Sequence, residues 1–124
     1  MKRKDFGLFV SLVVLIFMAV FSEKKILIAE GYAVTRNQLD QGEKIYDLFC
    51  RECHGNGRGG APRLGDDETW HTRAQGGMSR LISHAVNGYR GGKGFMPPKG
   101  GAASLTAEEV ALATAYMVAE NGHE

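Results

Sequence analysis

Three stretches of helical periodicity and one long apolar run organise the chain. Leu39, Gly42, Ile45, Tyr46 and Phe49 recur at the spacing of an amphipathic helix. They follow Thr35-Arg36-Asn37-Gln38, which has the Ser/Thr-x-x-Gln form of a capping box, so a helix is predicted that runs into Cys50. Leu81, Ile82, Ala85 and Val86 place a second, short helix over Met78 to Val86, stopped by Asn87-Gly88. Thr106-Ala107-Glu108-Glu109 is another capping box. It opens a third helix in which Val110, Leu112, Ala113, Tyr116 and Met117 keep the helical period as far as Asn121-Gly122. The stretches between are glycine-dense: Gly55 to Gly65 also holds Pro62, and Gly88 to Ala103 holds Pro97-Pro98, which excludes regular structure there. With no alternating strand pattern and no internal repeat, the expectation is an all-α domain of three main helices with long loops.

The apolar run lies at the front. Met1-Lys2-Arg3-Lys4 precedes Gly7 to Phe21, whose only polar member is Ser11, and charge returns at Glu23-Lys24-Lys25. A basic start followed by a short apolar stretch is an export signal by charge and length, with the basic end cytoplasmic and the remainder translocated. The run is shorter than the ~20 residues that span a bilayer comfortably. Gly31-Tyr32-Ala33 offers a cleavage site far from the run and Val20-Phe21-Ser22 a poorer one close to it, so cleavage and a retained inner-membrane tether both stay open. Residues 1–33 are assigned to this leader or tether and residues 34–124 to the domain.

A domain of about 90 residues is near the small end of independently stable folds. Glycine, at 17 of 124 residues, is about twice its usual ~7% share, consistent with long loops and close backbone approaches. The formal net charge of +1 argues against a nucleic-acid binder, and the mature part is close to neutral. Both cysteines, Cys50 and Cys53, lie in one short motif, so no long-range disulfide staples a domain that is apparently exported.

That motif, Cys50-Arg51-Glu52-Cys53-His54, has the Cys-x-x-Cys-His spacing of haem attachment. Two thiols three residues apart can add to the two vinyl groups of one haem, and His54 then offers an imidazole nitrogen to the iron. A structural zinc site would need four Cys or His ligands, and His71, His84 and His123 are scattered singles. A thioredoxin-like pair would be expected beside a βαβ pattern, which is missing from this sequence.

The iron's sixth position separates two functions. An open position binds oxygen, nitric oxide or peroxide, whereas a protein ligand there leaves mainly electron exchange. The candidates are Met78, Met96, Met117 and the three remaining histidines, with His84 foremost among these. Met117 sits in the apolar stripe of the last helix and Met78 begins a helix, both positions suited to packing. Met96 stands in Gly94-Phe95-Met96-Pro97-Pro98, where the prolines stiffen the chain and bias Met96 toward an extended conformation. Sulfur opposite nitrogen would favour the ferrous state and a relatively high potential.

Gly42-x-x-x-Tyr46, Cys50-Arg51-Glu52-Cys53-His54-Gly55, Gly60-Ala61-Pro62-Arg63-Leu64-Gly65-Asp66, Trp70-x-x-Arg73 and Met96-Pro97-Pro98-Lys99-Gly100-Gly101 together resemble the class I cytochromes c of the bacterial c-five type, over about Thr35 to Met117. The resemblance implies a small fold wrapped around one covalent haem c, with His54 and Met96 as axial ligands. It implies further that the Pro62 carbonyl accepts a hydrogen bond from His54, that Trp70 and Arg73 neighbour a haem propionate, and that the first and last helices cross where Gly42 admits Tyr116 or its neighbours. The implied function is one-electron transfer between redox protein partners, a respiratory complex, oxidase or reductase, in the periplasm and without catalysis of its own. The different-class alternatives are a gas-binding or peroxidase-like haem protein with an open sixth position and a zinc-bound Cys-x-x-Cys module. The chain departs from some relatives in having no second cysteine pair in the later loop.

Overall fold

The computed structural model describes residues 3–20, 23–29 and 31–122. Along the chain come α1 (Arg3–Val20), β1 (Lys25–Ala29), β2 (Tyr32–Thr35), α2 (Arg36–Ile45), a π-helical turn (Tyr46–Cys50), α3 (Arg51–His54), α4 (Asp67–Ala74), α5 (Met78–Asn87), β3 (Tyr89–Arg90), β4 (Phe95–Met96) and α6 (Ala107–Glu120). Short 3₁₀ turns occupy Arg58–Gly60 and Pro98–Gly101. Helices dominate, and the all-α class holds.

Both capping boxes are present. The Thr35 hydroxyl accepts from the Gln38 amide at 3.2 Å while the Gln38 side chain accepts from the Thr35 amide at 2.9 Å. Thr106 and Glu109 repeat the exchange at 3.1 and 2.8 Å. Each cap is worth about 1 kcal/mol and fixes where its helix begins.

The packing of α2 against α6 is decided by Gly42. Its Cα faces the Leu112 backbone so closely that an added Cβ would run into the Leu112 carbonyl and meet Tyr116 Cβ at 3.1 Å. Glycine inside a helix costs about 1 kcal/mol relative to alanine. Here it lets two backbones touch and sets the Tyr46 and Tyr116 rings 5.5 Å apart, tilted by 48°. Leu39, Tyr46, Trp70, Met78, Met117 and Val118 form the main core, each such burial contributing roughly 1.5–3 kcal/mol. Ala85, Leu105 and Val110 form a second, smaller cluster.

The structure departs from the sequence reading in three places. An antiparallel hairpin joins β1 to β2, with Ile26 opposite Val34 and Lys25 opposite Thr35. Ile28 and Val34, 1% and 3% exposed, belong to the main core. The boundary expected between residues 33 and 34 falls inside this hairpin. The signal was present in Lys25-Ile26-Leu27-Ile28-Ala29, where Ile26 and Ile28 turn inward and Leu27 outward, but five residues beside a longer apolar run carry little periodicity. Second, α4 is not among the helices expected from the sequence: only Trp70 of its side chains is buried, so an apolar stripe hardly exists. Its start is set instead by Asp66, whose carboxylate accepts from the Thr69 amide at 3.2 Å. Third, the segment from Gly88 to Ala103 is not irregular throughout, since β3 and β4 pair with Tyr89 opposite Met96 and Arg90 opposite Phe95.

The apolar run forms α1, whose described side chains from Phe6 to Met18 are exposed. Among the described residues, no helix is long and apolar enough to cross a membrane.

Candidate haem site

A cavity of about 460 Å³ opens between the π-helical turn, the loop from Arg58 to Pro62, α4, α5, the β3–β4 arm and α6. Cys50, Cys53, His54, Pro62, Trp70, Arg73 and Met96 all line it, so every site residue expected from the sequence is brought to one place.

The attachment run is positioned by an irregularity. At Tyr46–Cys50 the helix widens, and the Arg51 amide bonds back to the Tyr46 carbonyl, five residues earlier. Cys50 is half-buried and Cys53 exposed, and neither is in a disulfide. Burial, followed by the neighbouring Cys53, pushes the Cys50 thiol up to about 11.

His54 is buried at the end of α3, and its Nδ1 lies 2.8 Å from the Pro62 carbonyl. With Nδ1–H donating to that carbonyl, Nε2 is left as the nitrogen available to a metal. Burial lowers the affinity of the imidazole for a second proton; the Pro62 carbonyl opposes this and Arg73 adds to it. The loop that carries Pro62 is itself held, since the Leu64 amide donates to the His54 carbonyl at 2.7 Å. Trp70, 4% exposed, donates its indole N–H to the Arg63 carbonyl at 2.8 Å and lies 6.2 Å from the His54 ring, centroid to centroid.

Four cations line the cavity, Arg58, Arg73, Lys93 and Lys99, and among the described lining residues there is no Asp or Glu. Two of the four are engaged elsewhere: Arg58 pairs with Glu52, and the Lys99 amine donates to the Leu105 carbonyl at 2.6 Å. Arg73 differs, because its Nε is buried without a hydrogen-bond partner. A buried donor left unsatisfied costs about 1–3 kcal/mol, so Arg73 is poised for an acceptor that enters the cavity. A haem carboxylate is such an acceptor. The remaining wall is apolar, supplied by Leu81, Ala85, Leu105, Val110, Ala113 and Met117. Thiols, a neutral imidazole, an orphan guanidinium N–H and an apolar wall fit a covalently held haem.

Met96 is half-buried on β4. Of the other sixth-ligand candidates, Met78 is buried in the main core and does not line the cavity. Met117 is buried in that core and also lines the cavity. His84 lines it too, stacked on Tyr89 at 3.9 Å and 13°; neither this stack nor the lining cations other than Arg73 are visible as site features in the sequence, where His84 is only a possible ligand. His71 is exposed on α4 and is not part of the lining, and His123 lies outside the described residues. Among the described residues, no group of three or more His, Cys, Asp or Glu is placed to hold a metal ion.

Residues 37–117 match the family model described as cytochrome c oxidase, cbb3-type, subunit III. The chain is 46% identical over 80 residues to cytochrome c-555 of Chlorobaculum tepidum, covering 64% of this chain and 74% of that protein. It is 35% identical over 78 residues to cytochrome c5 of Azotobacter vinelandii, covering 61% and 89%. Among solved structures, it resembles a chain from an electron transfer complex of nitrite reductase with cytochrome c, with a TM-score of 0.58 and 33% identity over 65% of this chain and 94% of that one. With a cavity that gathers Cys50, Cys53 and His54 around room for one prosthetic group, the chain belongs to the class I cytochromes c of the c-five type, one-haem electron carriers with covalently bound haem c.

Proposed function

We propose that this cytochrome is a periplasmic carrier, translocated by its basic and apolar leader, which shuttles single electrons between respiratory-chain partners with His54 and Met96 on the iron. The observation that carries the reading is the shared lining: His54, oriented through Pro62, and Met96, on a strand stiffened by two following prolines, border one cavity. When bound, the haem supplies an iron that changes by one electron between ferric and ferrous states. The chain's own part is positional. Pro62 fixes the His54 tautomer and ring plane. The apolar wall keeps water from the metal, and Arg73 offers its orphan N–H to a carboxylate. A site closed on both faces carries electrons and performs no bond chemistry of its own.

Exposed Phe49 and Phe95 at the rim of the cavity leave an apolar edge against which a redox partner can rest. A terminal reductase or oxidase and a membrane respiratory complex are the partner classes this reading admits, the former matching the company kept by the nitrite reductase-bound relative. The leader either is removed or remains as an inner-membrane tether.

The test is the ferric optical spectrum of the haem-loaded protein beside Met96→Ala and Met117→Ala. Loss of the weak far-red sulfur-to-iron band in Met96→Ala alone supports the assignment. Loss in Met117→Ala alone moves the ligand to α6, and a starting protein that lacks the band while binding carbon monoxide replaces the carrier with a gas-binding reading.

A further inference from the structure

Two backbone segments at the edge of the cavity interlock through glycines. Gly60 has a left-handed φ of 80°, and a Cβ built there would run into the Lys93 carbonyl. Reciprocally, a Cβ at Gly94 would run into the Gly59 carbonyl and come within 3.7 Å of Gly60 Cα. Each glycine thus turns a Cα–H toward the other segment's carbonyl, the arrangement of a weak Cα–H···O contact. Only a residue without a side chain permits it at either position. The cavity lining includes Gly59, Gly60, Lys93 and Gly94.

What the two segments carry gives the contact its meaning. Gly60 lies two residues before Pro62, whose carbonyl orients His54. Gly94 lies two residues before Met96, on the arm closed by the Gly91 amide donating to the Gly94 carbonyl at 2.9 Å. The far end of that arm is seated by another glycine, since a Cβ at Gly88 would touch the Met96 carbonyl at 3.1 Å and Pro98 Cδ at 3.0 Å. The Gly59-Gly60 and Lys93-Gly94 segments therefore join the support of one proposed ligand directly to the arm of the other.

We propose that this glycine clasp is a positioning device: it fixes the Met96 arm against the His54 side, holds the thioether on the iron and thereby excludes exogenous ligands. The inference rests on Met96 as sixth ligand and goes beyond it by naming Gly60 and Gly94 as the residues that keep it there. Without the clasp the arm would be anchored only at its far end, through β3, Gly88 and the prolines, and the same haem would acquire an open face.

The variants separate backbone strain from loss of the clasp. Gly94 carries no left-handed φ, so Gly94→Ala introduces the collision alone. Gly77, outside both the clasp and the cavity lining, has a φ of 83° and nothing within 4 Å of a built Cβ, so Gly77→Ala introduces strain alone. In haem-loaded protein, Gly94→Ala is expected to lose the far-red band, lower the midpoint potential and bind carbon monoxide when ferrous, while Gly77→Ala keeps the band and stays unreactive. Gly94→Ala that keeps the band and excludes carbon monoxide overturns the clasp, as does loss of the band to the same extent in Gly77→Ala. If Gly94→Ala does not accumulate, inserting one glycine after Gly92, where nothing lies within 4 Å, slackens the arm without a collision and is read the same way. Met96→Ala runs alongside: retention of the band there removes the ligand assignment and with it the clasp's purpose, whereas its loss there beside an unaltered Gly94→Ala removes the clasp alone.

Discussion

Asn121 and Gly65 are joined across the domain: the Asn121 carboxamide oxygen accepts from the Gly65 amide at 2.8 Å, while its nitrogen donates to the Met117 carbonyl at 2.5 Å. Asn121 is 1% exposed, a buried polar side chain at the end of α6 with both ends of its amide engaged. It ties the last helix to the loop that follows the attachment motif. Asn121→Ala leaves the Gly65 amide without its acceptor and is expected to destabilise the haem-loaded protein by about 1–3 kcal/mol, read in denaturant unfolding, with no change in the visible spectrum.

Gly42→Ala forces α2 away from the Leu112 carbonyl. Overpacking of this kind typically costs about 1–3 kcal/mol, and thermal unfolding of the holoprotein should show it. Alanine at Gly92, where nothing lies within 4 Å, should leave the transition where it was.

Met78→Ala and Met96→Ala should behave oppositely. Met78 is 3% exposed in the main core, so its truncation is expected to destabilise by about 2–5 kcal/mol and spare the far-red band. Met96→Ala should abolish the band with a smaller effect on unfolding.

Arg73→Leu removes a cation and its orphan N–H from the cavity. A nearby positive charge favours the ferrous state, so the midpoint should fall. A tenfold shift of a one-electron equilibrium is about 59 mV, and a drop of that order in redox titration is expected. An unmoved midpoint counts against a role beside the haem.

Burial first, then Arg80 and Arg73, holds the His84 imidazole below its usual value. The sign follows from proton binding: an unfolded chain takes up this proton near pH 6.5, the folded protein only lower. Between those two values the unfolded state binds more protons, so stability falls as the pH drops through that window. Unfolding of His84→Gln across the same range should show a shallower loss, and proton NMR should place the His84 titration below 6.5.

Much of this was written in the chain, but unevenly. Cys50, Cys53 and His54 declare themselves because covalent chemistry fixes their spacing. The two capping boxes are local signals that tertiary structure left intact, and the crossing at Gly42 was implied by the resemblance. The hairpin around Gly31 was hidden because five-residue strands carry little period, and α4 because its one buried side chain, Trp70, leaves no stripe. The clasp was beyond reach in principle: glycines at 60 and 94 look like loop residues until folding brings them together. For Arg73, which the resemblance already set beside a haem propionate, only the unpaired Nε was out of reach, being a property of its surroundings.

The π-helical turn at Tyr46–Cys50 has a last consequence, one of phase. Successive residues in an α-helix are rotated by about 100°, and a five-residue bonding step inserts one extra residue without lengthening the ladder by a turn. The attachment run is therefore in register with the cavity rather than with the face of α2 that meets α6. Deleting Leu48, 76% exposed and outside the core, would let α2 continue as ordinary helix while swinging both thiols and the imidazole about a quarter-turn off the haem. A chain altered in that way should keep α2 and fail to take up haem covalently.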